Sequence, residues 1–460
     1  MSEAARICAE RHSRDDFGDR WTEMLRQECE QPRPRGQASG DTKGIEPQVR
    51  QNTRVRTNEP KVLLVHPGTQ YSFRLAQQLE RHGCLARFWT GIAYVPDTPL
   101  GRCIHYLPQR FTRQLSNRRL EGVPSERICI RPLGELRALR RLRAGHDDQK
   151  VMFERNAAFQ RLIPGKEIAN SSAVIGFDTS SWLLAEKTVA LGRRFILDQS
   201  AGHPLSIQML MPRLREEFPE WAEDFSPRLP ELLHVEELEH QAATWIVVAS
   251  SFSRRTLIEN GVPAEKIVVN PYGVDLAAFV PVPRPEPSRP LRFVFVGSFS
   301  AGKGVPLLLQ AWRSLKATGA ELWLAGPHSK RHVRLIPELP GLRLVGKVPH
   351  RELPALLRQC DVLVLPSYFE GFGLVLLEAL AGGMPIIASY ATAAPDLITA
   401  GVEGYLVPVG DVDALREAMK RFVDSPQDLA SMTQAARLCA ERYSWDAYGN
   451  RWVDLLHQVA

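Results

Sequence analysis

Two carboxylates, Glu370 and Glu378, stand eight residues apart in the run VLVLPSYFEGFGLVLLEALAGGMPIIAS (362–389). Val362 to Leu365 is continuously apolar, the pattern of a parallel strand buried on both faces. Pro366 ends it, and the loop 367–373 carries Glu370 and two glycines. A helix is predicted from Leu374 to Ala381, stopped by Gly382 and Gly383, with a second strand at 384–388. The free amides of residues 372–374 and the helix dipole attract an anion at the strand's C-terminal edge. Carboxylates beside an anion repel it unless they accept hydrogen bonds from hydroxyl groups. The spacing therefore points to a phosphorylated ligand rich in hydroxyls. The ordinary alternative is a βαβ crossover with two solvated acids.

This run resembles the E-x7-E donor motif of retaining GT-B glycosyltransferases, in particular the family 4 type (glycosyl transferases group 1). The resemblance covers roughly residues 60–458 and is densest from 270 to 410. It implies that Glu370 contacts the donor hexose and Glu378 the nucleotide ribose, with Phe372, Gly373 and Leu374 lending backbone to the donor. In FVFVGSFSAGKG (293–304) the resemblance implies that Gly297 and Ser298 line the donor and that Lys303 pairs with its diphosphate, a surface lysine at the helix start being the alternative. The family usually carries an arginine in this loop, and Ser298 and Gly302 stand at those positions. One cation is thus missing, about 1.5–3 kcal/mol of charge-assisted bonding. His203, in ILDQSAGHP (196–204), implies a histidine covering the diphosphate or sugar from across a cleft; an exposed loop histidine is the alternative. Lys347 and Val348 of GKVPHREL (346–353) match the nucleobase-edge segment. Gly68 and Thr69, in the loop 66–70, match the acceptor-side glycine loop.

The elements that must position these residues follow from the alternation of strands and helices. KVLLVHPGTQYSFRLAQQLERHG (61–83) reads as strand, glycine turn and amphipathic helix. Further strands are predicted at 173–177, 194–198 and 245–249, with one more helix and strand within 250–275. A second set falls at 291–297, 321–325, 342–345, 361–365 and 384–388, and a helix near 443–457 closes the chain. Such alternation predicts doubly wound parallel sheets. The fold class is α/β. The resemblance makes it GT-B, two Rossmann-like domains facing a cleft with the last helix crossing back to the first. The expected domains are 59–280 on the acceptor side and 291–440 for the nucleotide-sugar, with a proline-rich linker at 281–290 and the crossing helix at 441–460.

Residues 1–58 are polar and expected to be disordered in their linker-like part. Residues 4–25 nonetheless match 435–456 without gaps at thirteen of 22 positions, a second copy of the C-terminal helix. Trp445 is replaced there by Arg14 and Tyr443 by His12. The copy reads as dispensable, with a swapped helix or dimer contact as the alternative.

At 460 residues, 44% hydrophobic and 24% charged, the chain is long enough for two or three cores and has no apolar run of membrane-spanning length. The N-terminus lacks the apolar core of a signal peptide. Seven scattered cysteines without CxxC spacing favour reduced thiols. The expected location is cytoplasmic. Ten arginines lie between Gln109 and Arg143 against three glutamates, with Leu133, Leu136, Leu139 and Leu142 recurring among them. This segment reads either as a peripheral contact with anionic lipid at the inner membrane face or as a helix packed on its own domain with a solvated basic face. No recognisable nucleic-acid module accompanies it, so nucleic acid is not expected. Asp411 and Asp413 spell DxD, but Asp411 precedes a helical pattern and reads as an N-cap. The histidines show no metal-ligand spacing, so no metal and no cofactor are expected, the nucleotide-sugar being a substrate.

The resulting reading is a retaining, metal-independent hexosyltransferase. It would use a UDP- or GDP-linked sugar and a glycan or lipid-linked acceptor in surface polysaccharide synthesis. A nucleotide-sugar epimerase or glycogen-type synthase is a second enzyme reading. A catalytically weakened partner subunit that binds nucleotide-sugar is the non-enzymatic one.

Overall fold

The computed structural model describes residues 59–459 apart from 70, 97, 99–117, 282–288 and 317–318. The repeated N-terminal segment, Gln70, the first part of the basic stretch and most of the proline-rich linker lie outside the described residues. Residues from Glu59 onward form one compact unit.

The first sheet has seven strands: β1 (Val62–His66), β2 (Leu85–Thr90), β3 (Ile128–Ile130), β4 (Ala173–Phe177), β5 (Arg194–Gln199), β6 (Trp245–Val248) and β7 (Ile267–Val269). Their order is β3-β2-β1-β4-β5-β6-β7. The second has six: β8 (Leu291–Val296), β9 (Ala320–Ala325), β10 (Leu342–Gly346), β11 (Val362–Leu365), β12 (Ile386–Ser389) and β13 (Gly404–Val407), in the order β10-β9-β8-β11-β12-β13. Every pairing is parallel. Helices cover both faces, so β4, β11 and β1 up to its terminal His66 are apolar, and all three strands are buried at every position. In each sheet the order reverses beside the first strand, and the loops leaving the C-terminal ends of neighbouring strands diverge there to open a crevice.

The helices that matter for the crevice are α1 (Ser72–Arg81), α2 (Pro132–Arg143), α3 (Asp148–Arg161), α4 (Pro204–Glu217), α5 (Ser251–Glu259), α6 (Val305–Leu315), α7 (Leu374–Ala381) and α8 (Trp445–Val459). The last returns from the second sheet to lie along α1. Gln78 Nε2 of α1 donates to Asp446 Oδ1 at 3.4 Å, Arg81 pairs with the same carboxylate, and Arg451 Nε donates to Asn270 Oδ1 at 2.6 Å. Tyr448 and Trp452 are fully buried in the apolar cluster that runs continuously between the two sheets.

The predicted elements are present, with shifts at their ends. β12 begins at Ile386 rather than 384, because Pro385 offers no N–H to the ladder and contributes only its carbonyl to Leu363 N (3.0 Å). The closing helix begins at Trp445, after Ser444 turns the chain. β2, β3 and β13 are additional; they lie toward the sheet edges, and the exposed Arg87 of β2 breaks an otherwise apolar run.

The basic stretch departs further from its pattern. Among its described residues a short 3-10 turn covers Ser125–Arg127 and the α-helix begins at Pro132; the buried residues of α2 are Glu135 and Ala138, with Leu139 and Leu142 only half-buried. Leu133 and Leu136 are 69% and 47% exposed, beside exposed Arg137 and Arg140. An inward acid wins over leucine here because two arginines meet it: Arg118 at 3.0 Å and Arg155 at 2.8 Å.

Candidate functional site

Three loops meet between the sheets. The loop after β8 carries Lys303, the loop after β11 carries Glu370, and the loop after β5 carries His203. The first two are locked together by backbone. Gly304 lies at φ +73, where a Cβ would stand 2.2 Å from the carbonyl oxygen of Pro366, and Tyr368 N donates to Gly302 O at 2.9 Å. Lys303 Nζ and Glu370 form an ion pair, about a quarter and a fifth exposed. The second and third loops touch through Gly371, whose added Cβ would meet Ser200 O at 2.6 Å and Ala201 Cα at 2.8 Å. Both near atoms are backbone, so only glycine lets the loops approach this closely.

The Glu370 loop is also held by the N-terminus of α5. Ser250 Oγ and Ser253 Oγ donate to Gly371 O at 2.5 and 3.0 Å, Ser251 N donates to Asp396 Oδ2 at 2.7 Å, and Phe252 packs edge-on against Phe369. Nothing in the serine run SSFS (250–253) announced this role in sequence.

α7 starts at Gly373, which lies at φ +80, and no side chain caps it. Leu376 N donates to Gly373 O at 2.9 Å, and the start of the helix lies at the positive end of its dipole, where an anion is favoured. Phe372 is buried edge-on against Tyr272, so its ring belongs to the core and only its backbone reaches the loop. Leu374 opens the helix. One turn further in, the buried Glu378 accepts from His350 Nε2 at 2.6 Å. That hydrogen bond, aided by the carboxylate charge, raises the His350 pKa above its usual value. The pair's contribution to stability is full below pH 6.5 and is lost as pH rises through the raised folded value.

Gly297 follows β8 and donates to Ala325 O at 3.0 Å; Ser298 is exposed beside it. Lys347 is exposed, and Val348 is half-buried against the apolar cluster. They follow β10, on the same strand-end edge as Lys303, with His350 three residues on.

His203 is buried, not a free loop histidine. Its Nδ1 accepts from Leu205 N at 3.2 Å, capping α4, and its own amide donates to Thr256 Oγ1 at 2.9 Å. Burial, with His240 nearby, lowers its pKa to about 3. The ring is therefore neutral, and with Nδ1 accepting its proton sits on Nε2. Its loop is fixed by Asp178, which accepts from Ser200 N at 3.1 Å and Ser200 Oγ at 2.9 Å.

Gly68 and Thr69 line a cavity of about 520 Å3 at the C-terminal edge of the first sheet, with His66, Pro204, Gln208, Arg118 and Arg155 among its walls. Lys303, Glu370 and Glu378 do not line it, so the structure separates the two groups predicted from sequence. His66 is buried, with its pKa lowered to about 3 by burial and then by Arg155. Since Ser180 Oγ donates to Phe177 O (3.0 Å), His66 Nδ1 donates to Ser180 Oγ (3.3 Å), and its Nε2 keeps a lone pair beside Gly68. Asp411 accepts from Ala414 N at 2.8 Å and caps a helix, as its position suggested. Among the described residues no three His, Cys, Asp or Glu side chains gather as metal ligands.

Residues 281–438 match the family described as Glycosyl transferases group 1. The solved structure of Anabaena Alr3699/HepE in complex with UDP and glucose superposes with a TM-score of 0.58 at 15% identity, over 87% of this chain and 100% of that one. The fold is GT-B. Among curated proteins, the putative colanic acid biosynthesis glycosyltransferase WcaL of Escherichia coli (strain K12) is 33% identical over 196 residues, 38% of this chain and 47% of that protein. The amylovoran biosynthesis glycosyltransferase AmsK of Erwinia amylovora is 31% identical over 199 residues, 40% and 49% respectively. The chain thus spans about half the length of the curated relatives it matches. In GT-B terms, Lys303, Glu370 and Glu378 all lie in the half that carries the family match, and the cavity lies in the other.

Proposed function

We propose that the chain is a retaining, metal-independent glycosyltransferase. It moves a hexose from a UDP- or GDP-linked sugar to a glycan or lipid-linked acceptor in surface polysaccharide synthesis. The observation that carries this reading is the convergence of Lys303, Glu370 and the uncapped start of α7 in one loop cluster, inside the stretch that matches the group 1 family. The names of the two relatives, both glycosyltransferases of polysaccharide biosynthesis, support it.

In this reading the diphosphate lies between Lys303 and the α7 amides, with the backbone of Gly297, Ser298, Phe372, Gly373 and Leu374 beside it. Glu370 turns from Lys303 to the hexose hydroxyls. The neutral His203 donates from Nε2 to the diphosphate or the sugar. The nucleoside lies along Lys347 and Val348, and its ribose takes Glu378 from His350. As the bond to the sugar breaks, charge accumulates on the leaving phosphate, where fixed cationic and amide donors act most strongly. The departing phosphate oxygen accepts the acceptor hydroxyl's proton on the same face, which retains the anomeric configuration without a protein nucleophile. Gly68 and Thr69 stand on the acceptor side.

No helix among the described residues is long and apolar enough to cross a membrane. The outward Leu133, Leu136, Arg137 and Arg140 of α2 suit a peripheral contact with an anionic inner leaflet, which would bring the cytoplasmic protein to a lipid-linked acceptor.

The reading is tested by incubating the purified chain with UDP- and GDP-hexoses and following the anomeric protons by NMR. One donor is expected to be consumed in excess EDTA, and its sugar to appear first as the anomer of the donor. An inverted product, or turnover abolished by EDTA, would contradict it.

His350 adds a pH dependence. Ribose must displace it from Glu378, and protonated His350 is held more firmly than neutral. Nucleotide affinity is therefore expected to rise as pH increases above 6.5, and the trend to vanish in His350→Ala. Calorimetric titration at several pH values checks this; a wild-type affinity flat in pH would rule the competition out.

A further inference from the structure

Several residues that line the cavity on the first sheet's edge carry buried polar atoms with no hydrogen-bond partner among the described residues. Arg155 is more than nine-tenths buried, its side chain 7% exposed. Its Nη1 donates to Glu135 Oε2 at 2.8 Å and its Nη2 lies 3.4 Å from Met152 Sδ, while its Nε has no partner among the described residues. Arg118 Nη2 donates to Glu135 Oε1 at 3.0 Å, and its Nη1 has no partner among the described residues. Two guanidiniums thus share one carboxylate, and one positive charge is left over. Of the other charged groups nearby, Arg228 is paired with Glu236, burial raises the pKa of Asp178 and Glu239 toward their neutral forms, and Asp148 is an exposed residue at the start of α3.

Unpartnered N–H groups on a buried guanidinium are costly, more so than on a neutral amide. Burial lowers the Arg155 pKa, the direction expected of a cation short of partners. Three further atoms of lining residues have no partner among the described residues: Arg228 Nε, a donor, and Asn156 Oδ1 and Gln208 Oε1, both acceptors. Asn156 holds this orientation because its Nδ2 donates to Thr179 O at 2.8 Å. The cavity therefore offers guanidinium donors that suit an oxyanion and amide oxygens that suit hydroxyl groups.

We propose that this cavity selects an acceptor whose sugar carries an oxyanion, a carboxylate or a phosphate, bound by Arg155 and Arg118, with its hydroxyls on Asn156 and Gln208. The proposal rests on the glycosyltransferase reading and adds the chemical class of the acceptor. The oxyanion lies between Arg155 Nε and Arg118 Nη1 in charge-assisted hydrogen bonds. Gly68 and the His66 lone pair stand at the same cavity, where an acceptor hydroxyl can donate to them.

The test uses the full chain saturated with UDP or GDP, whichever binds, so that the donor side cannot take up an anion. Methyl glucuronide, glucose 1-phosphate and methyl glucoside are titrated by ligand-observed NMR. At least one of the two anions is expected to bind about tenfold more tightly than the neutral glycoside. Preference for the glucuronide identifies a carboxylated sugar, and preference for the phosphate a phosphorylated one. The preference should fall to about one in Arg155→Gln and in Arg118→Gln; the latter, nearer the surface, carries the test if the former does not fold. Equal binding of all three sugars, or a preference surviving both substitutions, overturns the proposal. A protein that binds UDP or GDP without preferring an anion contradicts only the acceptor class. One that binds no nucleotide contradicts the parent reading.

Discussion

Replacing Lys303 with alanine is expected to lower kcat by about 10²–10³-fold while leaving the melting temperature within a few degrees of wild type. Removing one preorganised donor to a developing oxyanion typically costs about 2.7–4 kcal/mol of transition-state stabilisation. Lys303 is well placed for an effect of this size, because the loop that carries it is fixed by backbone contacts at Gly304 and Tyr368 rather than by its own side chain. With Ser298 and Gly302 where the resembled family carries arginine, the loop has no guanidinium to share the load with the Lys303 ammonium. Stability should change little, since the Lys303–Glu370 pair is partly solvated and such pairs contribute little net energy. Glu370→Gln should also lower kcat, and the double variant should be less impaired than the product of the two single effects, as expected of residues that act together. Steady-state kinetics on the three variants checks this. A Lys303→Ala enzyme within threefold of wild type would remove the lysine from the reaction.

Trp452→Ala is expected to cost about 3–5 kcal/mol of unfolding free energy, the range for deleting a fully buried aromatic from a packed core. The residue is completely buried where α8 returns to α1, and it packs edge-on against Tyr448. The surface ties of α8, Arg81 with Asp446 and Arg451 with Asn270, cannot compensate, because at least the first is well exposed. The loss should appear as a lower urea midpoint. Equilibrium unfolding showing a change below about 1 kcal/mol would mean that the returning helix does not anchor the two sheets to one another.

Much of the fold was legible because parallel strands buried on both faces are plain apolar runs, as at 62–65, Ala173–Phe177 and Val362–Leu365. β2 was not, because Arg87 interrupts it at the exposed side of the sheet. The Glu370–Glu378 segment was legible through its glycines and its strict strand–loop–helix order. The ion pair between Lys303 and Glu370 was not, since 67 residues separate them and only the sheet order brings their loops together. The leucine repeat of α2 did not tell which side faces inward: Leu133 and Leu136 are exposed, Leu139 and Leu142 half-buried. What decides it is the pairing of Glu135 with Arg118 and Arg155, on three different segments, which no local pattern records. His203 was found for its place after β5, but its burial and its cap on α4 follow from the packing of Thr256 and His240 around it. Arg155, Asn156 and Gln208 carried no signal, being a few among many polar residues of α3 and α4.

The central claim is that the loop cluster of the second sheet binds a nucleoside diphosphate through Glu378 and the start of α7. The most direct test is a thermal-shift titration of wild type and Glu378→Ala with UDP, GDP and ADP. At a hundredfold excess over the dissociation constant, a bound nucleotide stabilises the protein by about 2.7 kcal/mol. One nucleotide, UDP or GDP, is expected to raise the wild-type melting temperature at concentrations that leave Glu378→Ala unmoved. Equal shifts in the two proteins, or none with any nucleotide, would contradict the claim.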